Sequence, residues 1–354
     1  MYYYSIRIMK KTLTLALAFF CTLNFLIAQT NQISAIPDPA STNDFYDDAP
    51  QSDLPLQTIT IEGEIETSLT IDFNALPLRQ VIVKETDWNG ESGKFIGAYQ
   101  YEGYSLYDIL NLAFLKKANA NEFPPIIDLY VEVENAIGDR VVFSWGEVYY
   151  PINRHQILIA SKVRRIVPSK TKDLWPLPEK SKLVVSTDLY TERNIESPTR
   201  ITIKSARVNY KIDRNTAEMF PETFTLTNFE NPTTIGKNQI PQNNIEYNTV
   251  FYGRGMGIHS TTPFAGIMLK DFLKNQIKLN PDVLKKGMLI TAGLDGYRGV
   301  FTVSEVFNRN DQAELLLVKQ NEKGVGAFQL FPAMDFFSDR AIKVLSDIRF
   351  IMED

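Results

Sequence analysis

The sequence predicts a mixed α+β fold that occurs twice along the chain. The prediction rests on two stretches, 129–148 and 289–306, which read LYVEVENAIGDRVVFSWGEV and LITAGLDGYRGVFTVSEV. In each stretch a turn containing Gly and Asp separates two alternating apolar runs, a pattern typical of a β-hairpin because glycine accepts a positive φ. Corresponding side chains lie at a constant offset of 158 residues, namely Arg140 and Arg298, Phe143 and Phe301, and Glu147 and Glu305. An internal repeat of this kind indicates two copies of one domain.

Residues 1–28 are predicted to be a secretory signal peptide of the Sec type. Lys10 and Lys11 precede an apolar core at 13–28, which ends on a small residue and is short for a membrane span. Cys21 is the only cysteine, and the bulky Phe20 before it favours cleavage after residue 28 over lipidation. We therefore expect a periplasmic or secreted chain that has no cysteine, and hence no disulfide and no thiolate ligand.

Residues 29–55 are predicted to be a disordered linker, because Pro, Ser, Asn and Asp dominate and no apolar periodicity is present. The chain has 354 residues, of which 44% are hydrophobic, so it is long enough for two domains with large cores. Its net charge of −5 argues against a nucleic-acid partner. We expect neither a nucleic-acid partner nor a membrane span in the mature chain.

The two domains are predicted at 56–207 and 223–354, joined by a linker at 208–222. In the first domain a strand pattern is followed by a helix that begins at Ser105, a capping residue three positions before Asp108. The second domain repeats this helix, with Gly266, Leu269, Asp271 and Leu273 in the places of Gly103, Leu106, Asp108 and Leu110. Asp335 and Arg340 likewise repeat Asp188 and Arg193 near the end of each domain. Many short strands with few helices favour the α+β class.

These motifs, taken in order, resemble the oxidoreductase molybdopterin-binding, or sulfite-oxidase-like, domain family. The motifs are the Gly-x-x-Leu-x-Asp-x-Leu helix start, the DGYR-like hairpin that runs into S-x-E, and the late strand and turn with Pro, Asp and Arg. The resemblance covers nearly all of residues 56–354. It implies two tandem sulfite-oxidase-like molybdopterin-binding domains of α+β fold after the signal peptide. It also implies a molybdenum ion held by a cysteine thiolate just before the helix.

Neither copy carries that cysteine, in 81–103 or in 249–266. A thiolate that anchors molybdenum is not replaced by Thr or Tyr without a change of chemistry. The leader also lacks the twin arginines typical of enzymes that are exported with their cofactor. The chain is more similar to the cysteine-less members of the family, which often carry His-Gly or His-Ser before the helix, as His259 and Ser260 do here. We expect no cofactor, with molybdopterin in an atypical ligation as the alternative.

The candidate ligand-binding residues lie before the helices and on the hairpins. Arg254 stands between glycines whose N–H groups are suited to an anion, and His259 is a candidate ligand or general base, with a plain loop role as the alternative. The hairpin arginines bind an anion or instead form salt bridges to Glu305 and Glu147. Trp88 and Asn89 line a pocket in the first copy or serve only packing. The full set of candidates is Arg254, His259, Ser260, Arg298, Tyr297, Trp88, Asn89 and Arg140, with no catalytic and no metal-binding residue among them.

Three classes of function follow from these expectations. The favoured one is a non-catalytic binding protein of the bacterial envelope, a pseudoenzyme that holds a small anionic ligand or an envelope protein. The second is a molybdopterin-dependent oxidoreductase with atypical metal ligation. The third is a hydrolase or other enzyme that uses His259, although no Ser-His-Asp order or paired-His metal motif supports it. His155 is expected at the surface, and Asp188 and Asp335 are expected to fix turns.

Overall fold

A computed structural model describes residues 47–90, 92–168, 170–213, 221–229, 231–241, 245–312, 314–319 and 327–353. The predicted signal peptide lies outside these residues, as does the predicted linker up to residue 46. The described residues fall into two compact units, one within 47–49 and 166–173 and one within 50–165 and 174–353. In the described part of the smaller unit, residues 47–48 pair antiparallel with residues 166–167.

Short strands and very short helices make up the described chain. The strands up to residue 213, the first half, are β1 (Asp47–Asp48), β2 (Ser52–Asp53), β3 (Thr60–Gly63), β4 (Leu69–Thr70), β5 (Arg79–Trp88), β6 (Gly93–Ser105), β7 (Leu129–Asn135), β8 (Arg140–Ser144), β9 (Ile157–Val167), β10 (Lys182–Val185) and β11 (Pro198–Ser205). Those from residue 221, the second half, are β12 (Thr223–Asn228), β13 (Asn231–Gly236), β14 (Ile245–Tyr247), β15 (Phe251–Gly253), β16 (Gly257–Ser260), β17 (Phe264–Met268), β18 (Gly287–Gly293), β19 (Arg298–Thr302), β20 (Leu315–Lys319), β21 (Phe328–Pro332) and β22 (Leu345–Met352). The helices are α1 (Leu106–Leu110), α2 (Trp145–Tyr149), α3 (Leu269–Leu273), α4 (Pro281–Lys286) and α5 (Val303–Phe307), with 3-10 turns at Phe73–Ala75, Ile126–Asp128, Lys237–Gln239 and Ser338–Arg340.

The predicted fold class is wrong. The described residues are mostly β, with 46% strand and 13% helix, and the sheets of the larger unit form a four-bladed β-propeller-like arrangement instead of tandem sulfite-oxidase-like α+β domains. The two predicted helices exist, but α1 and α3 end after five residues each. Ser105 caps α1 as expected, since its Oγ accepts a hydrogen bond from the Asp108 backbone N–H. A capping motif fixes where a helix begins and does not fix its length, which tertiary packing decides.

Strand order repeats between the two halves. One sheet of the first half has the order β4-β3-β11-β7-β8, and its counterpart has the order β13-β12-β22-β18-β19. In both, a parallel pair, β3 with β11 and β12 with β22, is followed by an antiparallel hairpin. A second pair of sheets shares the path β5-β6-β9-β10 and β14-β17-β20-β21. The internal repeat found in the sequence is therefore also a repeat of topology, whereas the domain boundaries at 207 and 223 stay a prediction.

Both predicted hairpins are confirmed. β7 pairs with β8, and β18 pairs with β19, all antiparallel. The turn glycines Gly138 and Gly296 have φ of +84° and +78°, a left-handed conformation that residues with a side chain rarely adopt. Every residue of β18 and β19 is buried. The hairpins therefore belong to the interior of the larger unit.

Two buried arginines hold matching sets of carboxylates where the halves meet. Arg193 Nη2 lies 2.6 Å from Glu147 Oε1 and 2.7 Å from Asp188 Oδ1. Arg340 Nη2 lies 2.6 Å from Glu305 and 2.7 Å from Asp335 in the same way. The Asp–Arg pairs at 188–193 and 335–340 are thus buried ion pairs, more than the turn-fixing role expected for the two aspartates.

Hydroxyl groups connect these two clusters across the halves. The Ser144 hydroxyl donates to Glu305 Oε2 at 2.8 Å, and the Thr302 hydroxyl donates to Glu147 Oε2 at 3.1 Å. Burial raises the pKa of Glu147 and Asp188, and it raises that of Asp335 to about 6. We use the name central network for the set formed by Ser144, Glu147, Asp188, Arg193, Thr302, Glu305, Asp335 and Arg340. It ties the first half to the second by reciprocal bonds.

The predicted linkers are partly ordered. Residues 52–53 pair with residues 162–163 of β9, and Leu54 is 2% exposed in an apolar cluster. The predicted disorder of 29–55 is therefore wrong for residues 52–54. In the second linker the Tyr210 hydroxyl donates to Asp347, whereas residues 214–220 lie outside the described residues.

Candidate functional site

Several residues predicted to bind a ligand lie on the β15–β16 hairpin. The two strands pair antiparallel, and the turn between them leaves Arg254 and Met256 exposed. A Cβ atom at Gly253 in β15 would lie 2.6 Å from His259 Nε2, so the exposed His259 side chain would have to move to admit it. Ser260 is used locally, since its Oγ accepts a hydrogen bond from the Thr262 N–H at 2.9 Å. Residues of this hairpin line two cavities.

The first cavity, which we call the hairpin cavity, has a volume of about 360 Å³. It is lined by Phe251, Gly253, Gly255, Met256, His259, Gly293, Asp295, Tyr297, Ser338, Asp339, Ala341, Ile342, Lys343 and Val344. It therefore brings His259 and Tyr297 together, as the sequence predicts. The Tyr297 hydroxyl donates to the Asp339 carbonyl oxygen at 2.6 Å, and burial raises the pKa of Tyr297.

The charges of the hairpin cavity do not favour an anion. Asp295 and Asp339 both line it, against one lysine, Lys343. Arg254 Nε lies 3.5 Å from Asp339 Oδ2, so its charge is already partly matched by this carboxylate. Two carboxylates repel an anionic ligand at close range. An anion bound beside His259 is therefore disfavoured.

His259 lacks the partners that a general base needs. Its ring centroid lies 4.9 Å from that of Phe251, and within the described segments its ring nitrogens make no hydrogen bond. A catalytic histidine is usually held by a hydrogen bond that fixes its tautomer and orientation. The geometry gives the hydrolase reading no support.

Arg298 lines neither cavity, contrary to its expected place in the site. Its guanidinium is fully buried, with Nε 3.3 Å from Asp128 Oδ2 and Nη1 3.1 Å from Glu122 Oε1. The expected alternative, a salt bridge to Glu305, is also wrong, because Glu305 pairs with Arg340. Arg298 joins the two halves through acids 170 and more residues away, which no spacing within the hairpin reveals.

The first-half candidates lie apart from the hairpin. Arg140 Nη1 lies 3.6 Å from Glu132 Oε2. The expected partner, Glu147, binds Arg193 instead. The Trp88 backbone N–H donates to Glu192 Oε1 at 2.7 Å. Its ring packs edge-on against Tyr190 with centroids 4.7 Å apart. Asn89 Oδ1 accepts the Ser92 N–H at 2.8 Å within a turn. These contacts are those of packing and turn formation.

The second cavity, which we call the aromatic cavity, has a volume of about 310 Å³ and is built by both halves. The first half supplies α1, α2 and the residues after it, and the second half supplies Arg254 and Phe337. It is lined by Leu110, Asn111, Ala113, Leu115, Ile126, Trp145, Tyr149, Tyr150, Arg154, Arg254 and Phe337. No aspartate or glutamate is among these residues. Arg154 and Arg254 are its charged lining residues, and the charge of Arg254 is partly matched by Asp339.

Helix α2 explains how the aromatic wall arises. Ser144 caps the helix by accepting the Glu147 N–H at 2.9 Å. Trp145 and Tyr149, four residues apart, share one face and stack with centroids 4.4 Å apart and an interplanar angle of 13°. Gly146 lies against the central network, since a Cβ atom there would be 2.2 Å from Arg340 Nε. One face of this short helix thus lines the cavity, and Gly146 packs against the central network.

Two buried donors at the aromatic cavity have no hydrogen-bond partner. Trp145 and Tyr150 are only 3% and 4% exposed. Within the described residues, neither the Trp145 Nε1–H nor the Tyr150 hydroxyl has a partner. Burial raises the pKa of Tyr150 to about 12, so its hydroxyl stays protonated and remains a donor at neutral pH. A buried unsatisfied donor costs about 1–3 kcal/mol, and because each of these donor atoms is itself buried, a ligand in the cavity does not reach it in this structure.

Arg154 is positioned by a neutral partner. Its Nη1 donates to the Tyr107 hydroxyl at 3.1 Å, and its guanidinium carbon lies 5.4 Å from the centroid of the Tyr107 ring. Within the described residues no carboxylate pairs with it, so its charge is available to a ligand. The sequence motifs do not predict Arg154, Trp145 or Tyr150 as site residues. The run WGEVYY after the first hairpin is rich in aromatic residues, whereas the second copy has VSEVFN there, and this difference was the available signal.

His155, expected at the surface, is half-buried and has partners. Its Nδ1 lies 3.0 Å from Ser105 Oγ and 3.5 Å from Asp108 Oδ2. Burial lowers the pKa of His155, against the opposing charge of Asp108. Ser105 itself is fully buried and caps α1. The group therefore holds the start of α1 in place and does not present a nucleophile.

Molybdopterin in an atypical ligation finds little support in the donor set. The described residues include no cysteine, and they contain no group of three or more His, Asp or Glu side chains suited to a metal ion. The described helices are likewise too short or too polar for any of them to cross a membrane.

Comparison with known proteins adds no relative. No model of a known protein family matches the chain, and no curated protein is significantly similar to it in sequence. The resemblance to the molybdopterin-binding family stays a prediction from motifs.

Proposed function

We propose that this chain is an exported, non-catalytic binding protein that holds a small organic acid in the aromatic cavity. The observation that carries the proposal is Arg154, a cation whose described partner is the neutral Tyr107, at a cavity whose lining includes no acidic residue. Donors and guanidinium groups together recognise carboxylates and other acceptor-rich anions. Export rests on the predicted signal peptide, and the expectation of no thiolate-held molybdenum rests on the missing cysteine.

A binding role is favoured over catalysis by what surrounds the cavity. Its polar groups are hydrogen-bond donors and cations, and no carboxylate or histidine lines it as a general base. Mostly apolar walls with a few placed polar groups are typical of sites that hold a small molecule. Arg254 is the predicted site residue that this proposal retains.

The test is isothermal titration calorimetry with benzoate, and with benzyl alcohol as the uncharged analogue. We expect benzoate to bind to the wild type and benzyl alcohol to bind at least about tenfold more weakly. Arg154→Met and Arg254→Met should each weaken benzoate binding about tenfold or more, since a charge-assisted hydrogen bond contributes roughly 1.5–3 kcal/mol.

Arg207→Met is the matched control, because Arg207 is exposed and lines neither cavity. It should bind benzoate like the wild type. The proposal fails if benzoate binds no better than benzyl alcohol. It also fails if Arg154→Met, Arg254→Met and Arg207→Met weaken benzoate binding equally.

A further inference from the structure

We infer that two copies of this chain associate through their β5 strands, which pair antiparallel about a two-fold axis at Ile82. The surface belongs to the first half, and the inference goes beyond the proposed function, since no residue of β5 lines the hairpin cavity or the aromatic cavity. It follows from the length of this edge strand, from the direction of its backbone groups and from the order of its exposed side chains.

Strand β5 is a long open edge of its sheet. It covers ten residues, and among the described strands it pairs only with β6. At other sheet ends β4 and β14 have two and three residues, β13 contains Pro232, and β8, β19 and β21 are largely buried. Proteins protect sheet edges in such ways because an unpaired edge is a template for another strand. β5 has none of these features and leaves Ile82 53% exposed, so it is suited to receive a partner strand.

The backbone groups of β5 point out of the sheet at alternate residues. The Thr86 N–H donates to Thr191 Oγ1 at 3.0 Å, and the Thr86 carbonyl accepts the Thr191 N–H at 2.8 Å, so the backbone of Thr86 faces away from β6. The two backbone groups of one residue point to the same edge, and the edge alternates along a strand. The register shift near Thr86 has its extra residue in β6, so the alternation along β5 is uninterrupted. Gln80, Ile82 and Lys84 therefore direct their backbone groups outward as well.

Antiparallel pairing about Ile82 makes the strand complementary to itself. Ile82 then lies opposite Ile82 of the second copy, and Gln80 lies opposite Lys84 of the second copy, so no like charges face each other. The three outward residues exchange about six backbone hydrogen bonds with the second copy, two for each residue pair. Lysine on an edge strand commonly prevents association, but here a neutral amide side chain receives it. An isologous contact of this kind closes as a dimer.

A carboxylate attracts the incoming lysine. Glu102 lies opposite Gln80 in β6, and its Oε2 accepts a hydrogen bond from Gln80 Nε2 at 3.1 Å. The other oxygen, Oε1, lies 3.0 Å from Lys162 Nζ. One carboxylate oxygen thus faces the edge at which Lys84 of the second copy arrives, and the two-fold axis repeats this attraction. The charges of the edge therefore favour a second copy in this register.

Sedimentation equilibrium of the mature protein measures the association. A single strand pair buries less surface than the roughly 1,200 Å² of a stable complex, so we expect a weak dimer with a dissociation constant of about 10–100 µM. Ile82→Lys places two like charges opposite each other and should raise this constant at least about tenfold. Ile137→Lys is the matched control, because Ile137 is 89% exposed and lies between β7 and β8. It should dimerise like the wild type.

Cysteine cross-linking tests the register. Residues 29–354 contain no cysteine, so Ile82→Cys introduces a single thiol into the mature protein. The two-fold axis sets the two copies of position 82 opposite each other, with Cα atoms about 5.5 Å apart, a distance that a disulfide spans. Lys84→Cys is the control, because its two copies lie about 14 Å apart, beyond the reach of a disulfide. Mild oxidation should therefore link Ile82→Cys at least about tenfold faster than Lys84→Cys.

The outcomes that contradict the inference are distinct from those that contradict the proposed function. A protein that stays monomeric up to about 300 µM would overturn the dimer. Equal weakening by Ile82→Lys and Ile137→Lys would also overturn it, as would equal rates of cross-linking for Ile82→Cys and Lys84→Cys. None of these results bears on benzoate binding, so the acid-binding function is tested independently.

Discussion

Replacing Arg340 by methionine should remove a large share of the stability of the fold. Arg340 is completely buried and donates to both oxygens of Asp335 at 2.8 and 2.7 Å and to Glu305 at 2.6 Å. It also donates to the Ser144 hydroxyl at 3.0 Å and to the Val300 carbonyl at 3.2 Å. Methionine leaves both carboxylates buried without their cation. Breaking a buried ion pair from one side costs about 3–5 kcal/mol.

Urea denaturation at pH 7.5 and at pH 4.5 measures this effect. The loss in the free energy of unfolding should be about 3–5 kcal/mol at pH 7.5 and smaller at pH 4.5, because protonation removes the unpaired negative charge. Arg200→Met is the control, since the Arg200 side chain is 48% exposed and its ion pairs lie at the surface. That change should cost less than about 1 kcal/mol. An Arg340→Met loss below about 1 kcal/mol, or one that is equal at both pH values, would refute the reasoning.

Two further predictions come from the structure and one comes from the sequence. Gly146→Ala should cost more than about 2 kcal/mol in chemical denaturation, because its Cβ would lie 2.2 Å from Arg340 Nε, whereas Gly255→Ala, with open space around it, should be nearly neutral. The pKa of Asp335 is raised by burial to about 6 from the ordinary 3.8, so the folded state binds this proton more tightly than the unfolded state. The contribution of Asp335 to the free energy of unfolding is full below pH 4 and is lost as the pH rises to 6. Asp335→Asn should therefore reduce the fall in the free energy of unfolding over this pH range by up to about 3 kcal/mol. An unchanged pH profile would contradict this prediction. N-terminal sequencing of the natively expressed protein should find a first residue near Gln29, and retention of residues 1–28 or lipid on the cysteine would overturn the prediction of cleavage after residue 28.

The sequence was a good guide to features fixed by local chemistry. The turn glycines Gly138 and Gly296 need a positive φ, so the hairpins were predictable from short stretches. Ser105 was predictable as a cap because its hydroxyl accepts a hydrogen bond from a backbone N–H only three residues away. The repeated order of motifs foretold the repeated strand order. The fold class was not predictable in this way, since helix length depends on packing between distant strands.

The partners of charged residues were the least predictable part of the site. The spacing suggested that Arg298 pairs with Glu305, but Arg298 binds acids of the first half and Glu305 binds Arg340. Both pairings cross long sequence separations that a repeat offset does not encode. The aromatic cavity was missed for a similar reason, because α2 and Phe337 are brought together only by the folded chain.

Native mass spectrometry of the protein purified from its own host tests the central claim most directly. The account predicts that the wild type carries one small organic acid, that this mass is absent from a variant with Arg154→Met and Arg254→Met, and that molybdenum is present far below one equivalent. A stoichiometric adduct with the isotope pattern of molybdenum would contradict the account, as would an organic ligand that the double variant retains.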